Sequence, residues 1–442
     1  MTLIDERAKW FGHPRGLATL FFTEMWERFS YYGMRALLIL YMTALATNGG
    51  LGFTTEKAAG IYGWYTFLVY AVGIPGGFIA DRWLGHYRAV FIGGAIIALG
   101  HFTLAISGLS AFYAGLAIII FGTGLLKPNI STMVGLLYAP GDTRRDGGFS
   151  IYYMGINLGA AAAPIVCGYL GQKVGWHWGF AAAGVGMVLG LVQLFFGRRH
   201  LPSNERLASG DTANTTPHPG VPGARQLTAT EWKRLGVIAA LFLFAVLFWA
   251  AYEQAGSSLN LFADRYTRLS WFGREFPSSW FQSLNAVFVL VFAPVFSWLW
   301  VALASREPSS PAKFVWGLVL VGIGFLLLVP AAGFAQSGEG IRVSPMWLVG
   351  AYLLHTLGEL CLSPVGLSMV TKLAPMRLVG SIMGFWFLTN AFGNKLGGTI
   401  AGYFDRLPLP QLFGAVAGVA IVSGLILLFL VKPIKKLMGG IK

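Results

Sequence analysis

Cysteine is nearly absent from this chain: Cys167 and Cys361 are the only two among 442 residues, and both lie in apolar stretches. Two isolated thiols in such settings exclude a disulfide framework or a cysteine metal centre and read as small hydrophobes. Charge is scarce too, at 11% of residues, against 55% hydrophobic residues. With a mean hydropathy of +0.64, this composition excludes a soluble globule and describes a polytopic membrane protein. Missing as well are H-E-x-x-H, a nucleotide loop, an embedded serine with a base beside it, and any basic cluster interleaved with aromatics. An enzyme, a metal site and a nucleic-acid partner are therefore not expected. The N-terminus, M-T-L-I-D-E-R, mixes acids with bases and leads into a charged apolar stretch, so no cleaved signal peptide is expected.

What the chain does have is apolar length. A spanning helix needs about 20 mostly apolar residues, and twelve such stretches are centred near residues 30, 67, 96, 124, 158, 186, 246, 288, 321, 357, 390 and 422. An even number puts both termini on one side. Lys and Arg are shared unequally between alternate loops. One side holds only Lys57, Lys173, Arg265, Arg268, Arg274, Arg342 and Arg406, while the other holds the remaining loop bases, including those at both ends of the chain. The positive-inside rule then makes both termini cytoplasmic. The net charge of +14 reflects this topology and attraction to anionic lipid.

A single long polar interval, 198–231, rich in Ser, Thr, Pro, Gly and charge, interrupts the pattern and reads as a cytoplasmic linker. It separates residues 1–197 from 232–442, six spans each, as expected for a secondary transporter built from repeats. It is too short and too polar for an inserted pair of spans. The run G-G-F-I-A-D-R-W-L-G-H-Y-R, Gly76 to Arg88, resembles the loop motif of the major facilitator superfamily, in which Asp81 would pair with loop bases. A topogenic charged turn explains it equally well.

Four acids and four bases fall inside the spans: Glu24, Glu27, Arg28, Arg35, Lys127, Glu253, Glu359 and Lys395. Each is costly there, roughly 3 kcal/mol on insertion scales, so each needs a partner, water or a ligand. Single pairs could be helix staples; eight such groups over both halves point to a pathway. Glu24, Glu27, Arg28, Tyr31, Tyr32 and Arg35 recur at i, i+3, i+4, i+7, i+8 and i+11, one helix face. Trp249, Glu253, Ser257 and Asn260 form a second stripe, and His355, Glu359 and Ser363 a third. Acids on one wall and bases on the other suit a zwitterion, an amino acid or a short peptide. Paired acids and bases in low dielectric can also exchange protons as their partners move.

E-M-W-E-R-F-S-Y-Y from Glu24 resembles the E-x-x-E-R-F-x-Y-Y signature of the proton-dependent oligopeptide transporters, a branch of the major facilitator superfamily. F-G-T-G-L-L-K-P-N-I-S around Lys127, Y-Y-M-G-I-N-L-G around Asn157, E-Q-A-G-S-S from Glu253 and G-E-L-C-L-S-P-V-G-L-S around Glu359 are similar to its further motifs, in order along nearly the whole chain. The resemblance implies an all-α alternating-access fold of twelve transmembrane helices in two six-helix bundles. It also implies symport of di- and tripeptides with protons into a bacterial cell across the inner membrane, by a monomer needing no cofactor besides the proton. Glu24, Glu27, Arg28, Lys127 and Glu253 are then the proton-coupling set. Arg35 and Lys127 would take the peptide C-terminus, and Glu359 with Asn157 and Asn285 its N-terminus and backbone. Tyr32, Tyr70, Tyr153, Trp249, Phe385 and Trp386, with Glu253 and Ser363, would complete the peptide site. Arg35 with Glu253 and Lys127 with Glu359 are the implied gates; Lys395 belongs to neither. Tyr152 departs from the family's Phe, and Ala286 stands where Pro is expected after Asn285. The nearest rivals are another solute in the same fold, such as nitrate or a peptide-like metabolite, of which an anion would leave Glu359 without a role, and a transporter-like sensor, which would not need the full acid and base set.

Overall fold

The computed structural model describes residues 9–139, 142–202, 227–271, 273–375 and 378–438. Most of the linker, 203–226, lies outside them, as do Arg7, Arg206, Arg225, Arg377 and Lys442 of the loop count. Among the described residues there are twelve long helices: α1 (Gly16–Thr43), α2 (Thr55–Ala71), α3 (His86–Leu104), α4 (Leu109–Leu136), α5 (Arg145–Tyr169), α6 (Trp176–Gly197), α7 (Ala229–Tyr252), α8 (Ser283–Leu303), α9 (Ser310–Ala335), α10 (Met346–Leu373), α11 (Val379–Ala401) and α12 (Leu409–Leu437). Ten are long and apolar enough to cross a membrane. The other two are α1, with its four charges, and α11, with Asn390, Asn394 and Lys395. Two short hairpins, Lys9–Trp10 with His13–Pro14 and Ser270–Trp271 with Arg274–Glu275, are the only sheets among the described residues.

Two compact units result, Met1–Gly52 with Leu68–Thr216 and Phe53–Phe67 with Pro217–Lys442. In the first, α1 packs on α5 and α6, and α3 on α4 and α6. Its apolar core includes Leu17 and Leu20 of α1, Val90 and Ile97 of α3, Leu126 and Ile130 of α4, and Met187 and Leu194 of α6. In lipid, helices gain little from burying apolar surface against one another, so close van der Waals packing decides. Gly159 shows this: a Cβ there would collide with the Met25 carbonyl, so only glycine lets α5 approach α1 so closely.

In the second unit α9 packs on α10 and α12, and α7 on α11. Phe325, Phe262 and Phe413 form a fully buried aromatic core, with ring centroids 5.5 and 6.0 Å apart. A capping box starts α7: the Thr228 hydroxyl accepts from Glu231 N while Glu231 Oε2 accepts from Thr228 N. This satisfies backbone donors that the first turn would otherwise leave open. The first part of α2 belongs here: Arg265 donates to Asp405 at 2.9 Å and to Thr55 at 3.2 Å, Thr55 donates to Asp405, and Arg406 pairs with Glu56 at 2.5 Å.

Two elements differ from a simple run of helices. The α2 span continues through Gly73–Ile79 into a π turn, Ala80–Leu84, and Gly85 (φ 74°) then starts α3 in a conformation that favours glycine. At the end of α7 the backbone tightens into a 3₁₀ turn, Glu253–Gly256. Ser257 leaves helical geometry (φ −128°, ψ −95°) before a short helix resumes at Ser258–Tyr266. Trp249, Glu253, Ser257 and Asn260 therefore do not lie on one continuous α-helix, contrary to the expectation from their spacing. Both cysteines are free and buried.

Candidate functional site

In the first unit the charged face of α1 points inward. Glu24, Glu27, Arg28 and Arg35 are 3%, 1%, 4% and 7% exposed. Arg28 Nε lies 3.2 Å from Glu24 Oε1 and is also paired with Glu27, so one guanidinium serves two carboxylates. Arg28 sits 5.4 Å from the Tyr31 ring centroid and Arg35 5.8 Å from that of Tyr32, within cation–π range. Among the described residues, Glu24 Oε2 and Arg28 Nη2 are buried without a hydrogen-bond partner. Unsatisfied atoms on a buried ion pair are expensive.

Lys127 of α4 stands over the Tyr70 ring at 3.6 Å and acts electrostatically on Glu24. Its helix is fixed by its neighbours. Pro128 has no N–H to offer the carbonyl one turn back, that of Gly124, and Gly76 lies against this carbonyl where any Cβ would collide. Next along, Asn129 donates to the Leu125 carbonyl at 2.7 Å, and its Oδ1 lies 2.7 Å from His86 Nδ1. His86 Nε2 in turn is 3.7 Å from Asp81. Asp81 thus lies near the imidazole at the start of α3, and the loop motif and the Lys127 motif pack together through His86 and Asn129. Asn157 donates to the Tyr153 carbonyl at 2.9 Å. Tyr153 is 42% exposed, whereas Tyr152 is buried and acts electrostatically on Glu24.

In the second unit Glu359 is the focus. Its Oε2 accepts from the Tyr252 hydroxyl at 2.5 Å and from Asn285 Nδ2 at 3.1 Å, and Asn285 also donates to Thr356 at 3.0 Å. Glu253, 6% exposed, opens the 3₁₀ turn, where Ser258 donates to Gln254 at 2.7 Å. Trp249 packs edge-on to Tyr252 at 5.3 Å. Trp386 is buried beside Phe242 and Phe314, Phe385 is 59% exposed, and Ser363 is half-buried. His355, one turn from Glu359, packs instead on Phe325 at 4.9 Å and fills the space that Gly324 leaves. Lys395 Nζ sits over the Trp64 ring at 4.6 Å.

A family profile described as "POT family" matches residues 87–214 and 203–414. The chain belongs to the POT family. Two curated relatives agree. It is 42% identical to "Peptide transporter YePEPT" of Yersinia enterocolitica subsp. palearctica, over 97% of this chain and 96% of the relative. It is 38% identical to the "Di-/tripeptide transporter" of Lactococcus lactis subsp. cremoris, over 98% of both. Among solved structures, that of "peptide transporter POT in complex with sulfate" superposes with a TM-score of 0.88 at 41% identity, covering 98% of this chain and 97% of the other. The fold is therefore the twelve-helix transporter fold, embedded as a multi-pass membrane protein.

Within this POT-family scaffold, three residues that the sequence does not single out for the site lie against the candidate residues. Tyr252 carried no signal beyond standing next to Glu253. Thr356 lies one turn before Glu359 and directly after His355. Tyr152 departs from the family's Phe, and it is the tyrosine of that motif that lies beside Glu24.

Proposed function

We propose that the protein is a proton-coupled symporter of di- and tripeptides, a transporter and not an enzyme, working by alternating access. The observation that carries the coupling is the single Arg28 shared by two buried carboxylates beside Lys127. With both acids ionised, Glu24, Glu27, Arg28 and Lys127 sum to zero. When a peptide carboxylate engages Lys127, the remaining triad carries one uncompensated negative charge in low dielectric, and one proton restores neutrality. Ligand and proton therefore favour each other's binding, as symport requires.

At the other end of the ligand, Glu359 takes the ammonium, held by Tyr252 and Asn285, and Arg35 joins Lys127 at the carboxylate. Tyr32, Tyr70, Tyr153, Asn157, Trp249, Ser363, Phe385 and Trp386 contact the peptide backbone and side chains. Arg35 with Glu253 and Lys127 with Glu359 act as alternating pairs. The halves are residues 1–197 and 232–442, joined by a cytoplasmic linker, 198–231. The chain works as a monomer in the bacterial inner membrane with both termini inside, with lipid around it and the proton as its only coupling ion.

The deciding experiment is uptake of a labelled dipeptide into proteoliposomes. Accumulation that requires an inward proton gradient supports the proposal. Uptake of nitrate in place of peptide, or binding without transport in a counterflow assay, overturns it.

A further inference from the structure

At the end of α6, away from the candidate site, a cavity of about 570 Å³ opens between the last turn of that helix and the first turn of α3, lined by Tyr87, Phe195, Phe196, Arg198, Arg199 and Leu201. Arg198 is held over the Tyr87 ring at 4.9 Å. Arg15 and Arg199 both act electrostatically on His200, whose carbonyl lies against Gly16, so three guanidinium groups share this corner. Beside them Phe195 and Phe196 are 59% and 72% exposed at the end of an apolar span.

We propose that this corner binds an anionic phospholipid, with the phosphodiester between Arg198 and Arg199 and acyl chains along Phe195 and Phe196. Basic pockets between membrane helices suit phosphate headgroups, and guanidinium groups match phosphate oxygens in pairs. The Tyr87 ring orients Arg198 in advance, which lowers the ordering cost of binding. A purely topological signal would need charge alone, and Lys435 and Lys436 in the last turn of α12 supply the same charge. The inference rests on the membrane-spanning fold and is independent of what the protein carries.

The test uses the full-length protein in neutral detergent, with phosphatidylglycerol or phosphatidylcholine added and retained lipid counted by native mass spectrometry. Wild type should retain phosphatidylglycerol over phosphatidylcholine. Arg198→Gln with Arg199→Gln should weaken that retention about tenfold or more, while Lys435→Gln with Lys436→Gln should leave it unchanged. Should the first pair fail to fold, Tyr87→Leu, which keeps every charge, should still weaken retention severalfold. Equal loss in the two charge-matched pairs would reduce the effect to surface charge and overturn the site. Full retention after loss of both arginines overturns it too, as does displacement of the lipid by millimolar inorganic phosphate, which would make this a site for free anions.

Discussion

Tyr252 donates its hydroxyl to Glu359 Oε2 at 2.5 Å, the same oxygen that accepts from Asn285 at 3.1 Å. The phenol and the amide together fix one carboxylate rotamer, and the Tyr252 ring is itself stacked on Phe248 at 5.5 Å. Phenylalanine at 252 would keep the stacking and delete only the bond. A hydrogen bond to a charged group contributes about 1.5–3 kcal/mol. Tyr252→Phe is therefore expected to lower the thermal midpoint in detergent to that extent and, because Glu359 loses its fixed rotamer, to weaken dipeptide binding severalfold as well. Binding measured by calorimetry checks this, and an unchanged affinity would mean that Glu359 is held by other means.

The Arg28 guanidinium pairs with both of two carboxylates that are 3% and 1% exposed, while Lys127 and Tyr152 act on Glu24 as well. Removing one partner of a buried pair costs about 3–5 kcal/mol. Arg28→Met should lower stability by that order, visible in thermal unfolding of the detergent-solubilised protein. Adding Glu24→Gln to the same chain should restore part of the loss, because the remaining acid, Glu27, is then balanced by Lys127. If the double variant is no more stable than Arg28→Met, charge imbalance is not the cause.

Much of this arrangement could be read from residue spacing. The acids and bases of α1 repeat at helical intervals, and a charge in a span must face inward whatever its neighbours do. Spacing failed at the end of α7, where it assumes an unbroken helix. The 3₁₀ turn at Glu253–Gly256 and the non-helical Ser257 change the phase, and neither is dictated by a proline. It also failed to separate His355 from Glu359. In a bundle most sides of a helix meet other helices, so polarity does not tell which side faces the site. His355 fills space over Gly324, and Glu359 meets Tyr252. The contacts that position Lys127, Gly76 on Gly124 and His86 on Asn129, join segments far apart in sequence and leave no local periodicity.

Those contacts give a third expectation. Gly76→Val would drive a branched side chain into the Gly124 carbonyl, and rigid helix backbones cannot yield by that much, so little folded protein should be recovered. His86→Ala deletes the 2.7 Å bond to Asn129 and the 3.7 Å contact with Asp81, and drives nothing into a neighbouring backbone. It should cost about 1 kcal/mol, seen as a small drop in thermal midpoint with transport retained. Equal behaviour of the two variants in size-exclusion yield would argue against the packing role given to Gly76.

Proton drive should depend on Glu27. Glu27→Gln removes one of the two carboxylates that share Arg28, so the triad becomes neutral with Glu24 ionised and has no reason to take up a proton when the ligand arrives. Gradient-driven accumulation should be abolished, whereas exchange of labelled for unlabelled peptide at equal concentrations should survive, because Lys127 and Glu359 are untouched. Accumulation against a gradient by Glu27→Gln would remove this residue from the coupling set.

The ligand should need both of its charged ends, and the two ends should respond to different residues. Blocking the N-terminus of dialanine by acetylation removes the ammonium proposed to face Glu359, and amidating the C-terminus removes the carboxylate proposed to face Lys127. Each loss deletes a charge-assisted hydrogen bond, so each capped peptide should compete about tenfold or more weakly than free dialanine. The discriminating measurement crosses ligand with protein. In Glu359→Gln the penalty for acetylation should shrink towards nothing while the penalty for amidation persists, because the carboxylate that recognised the ammonium is gone. In Lys127→Gln the pattern should reverse. Coupling of this kind identifies a contact only if it is specific to one pairing. If each substitution weakens all three ligands by the same factor, Glu359 and Lys127 act on the protein as a whole and the assignment of ligand ends to residues is wrong.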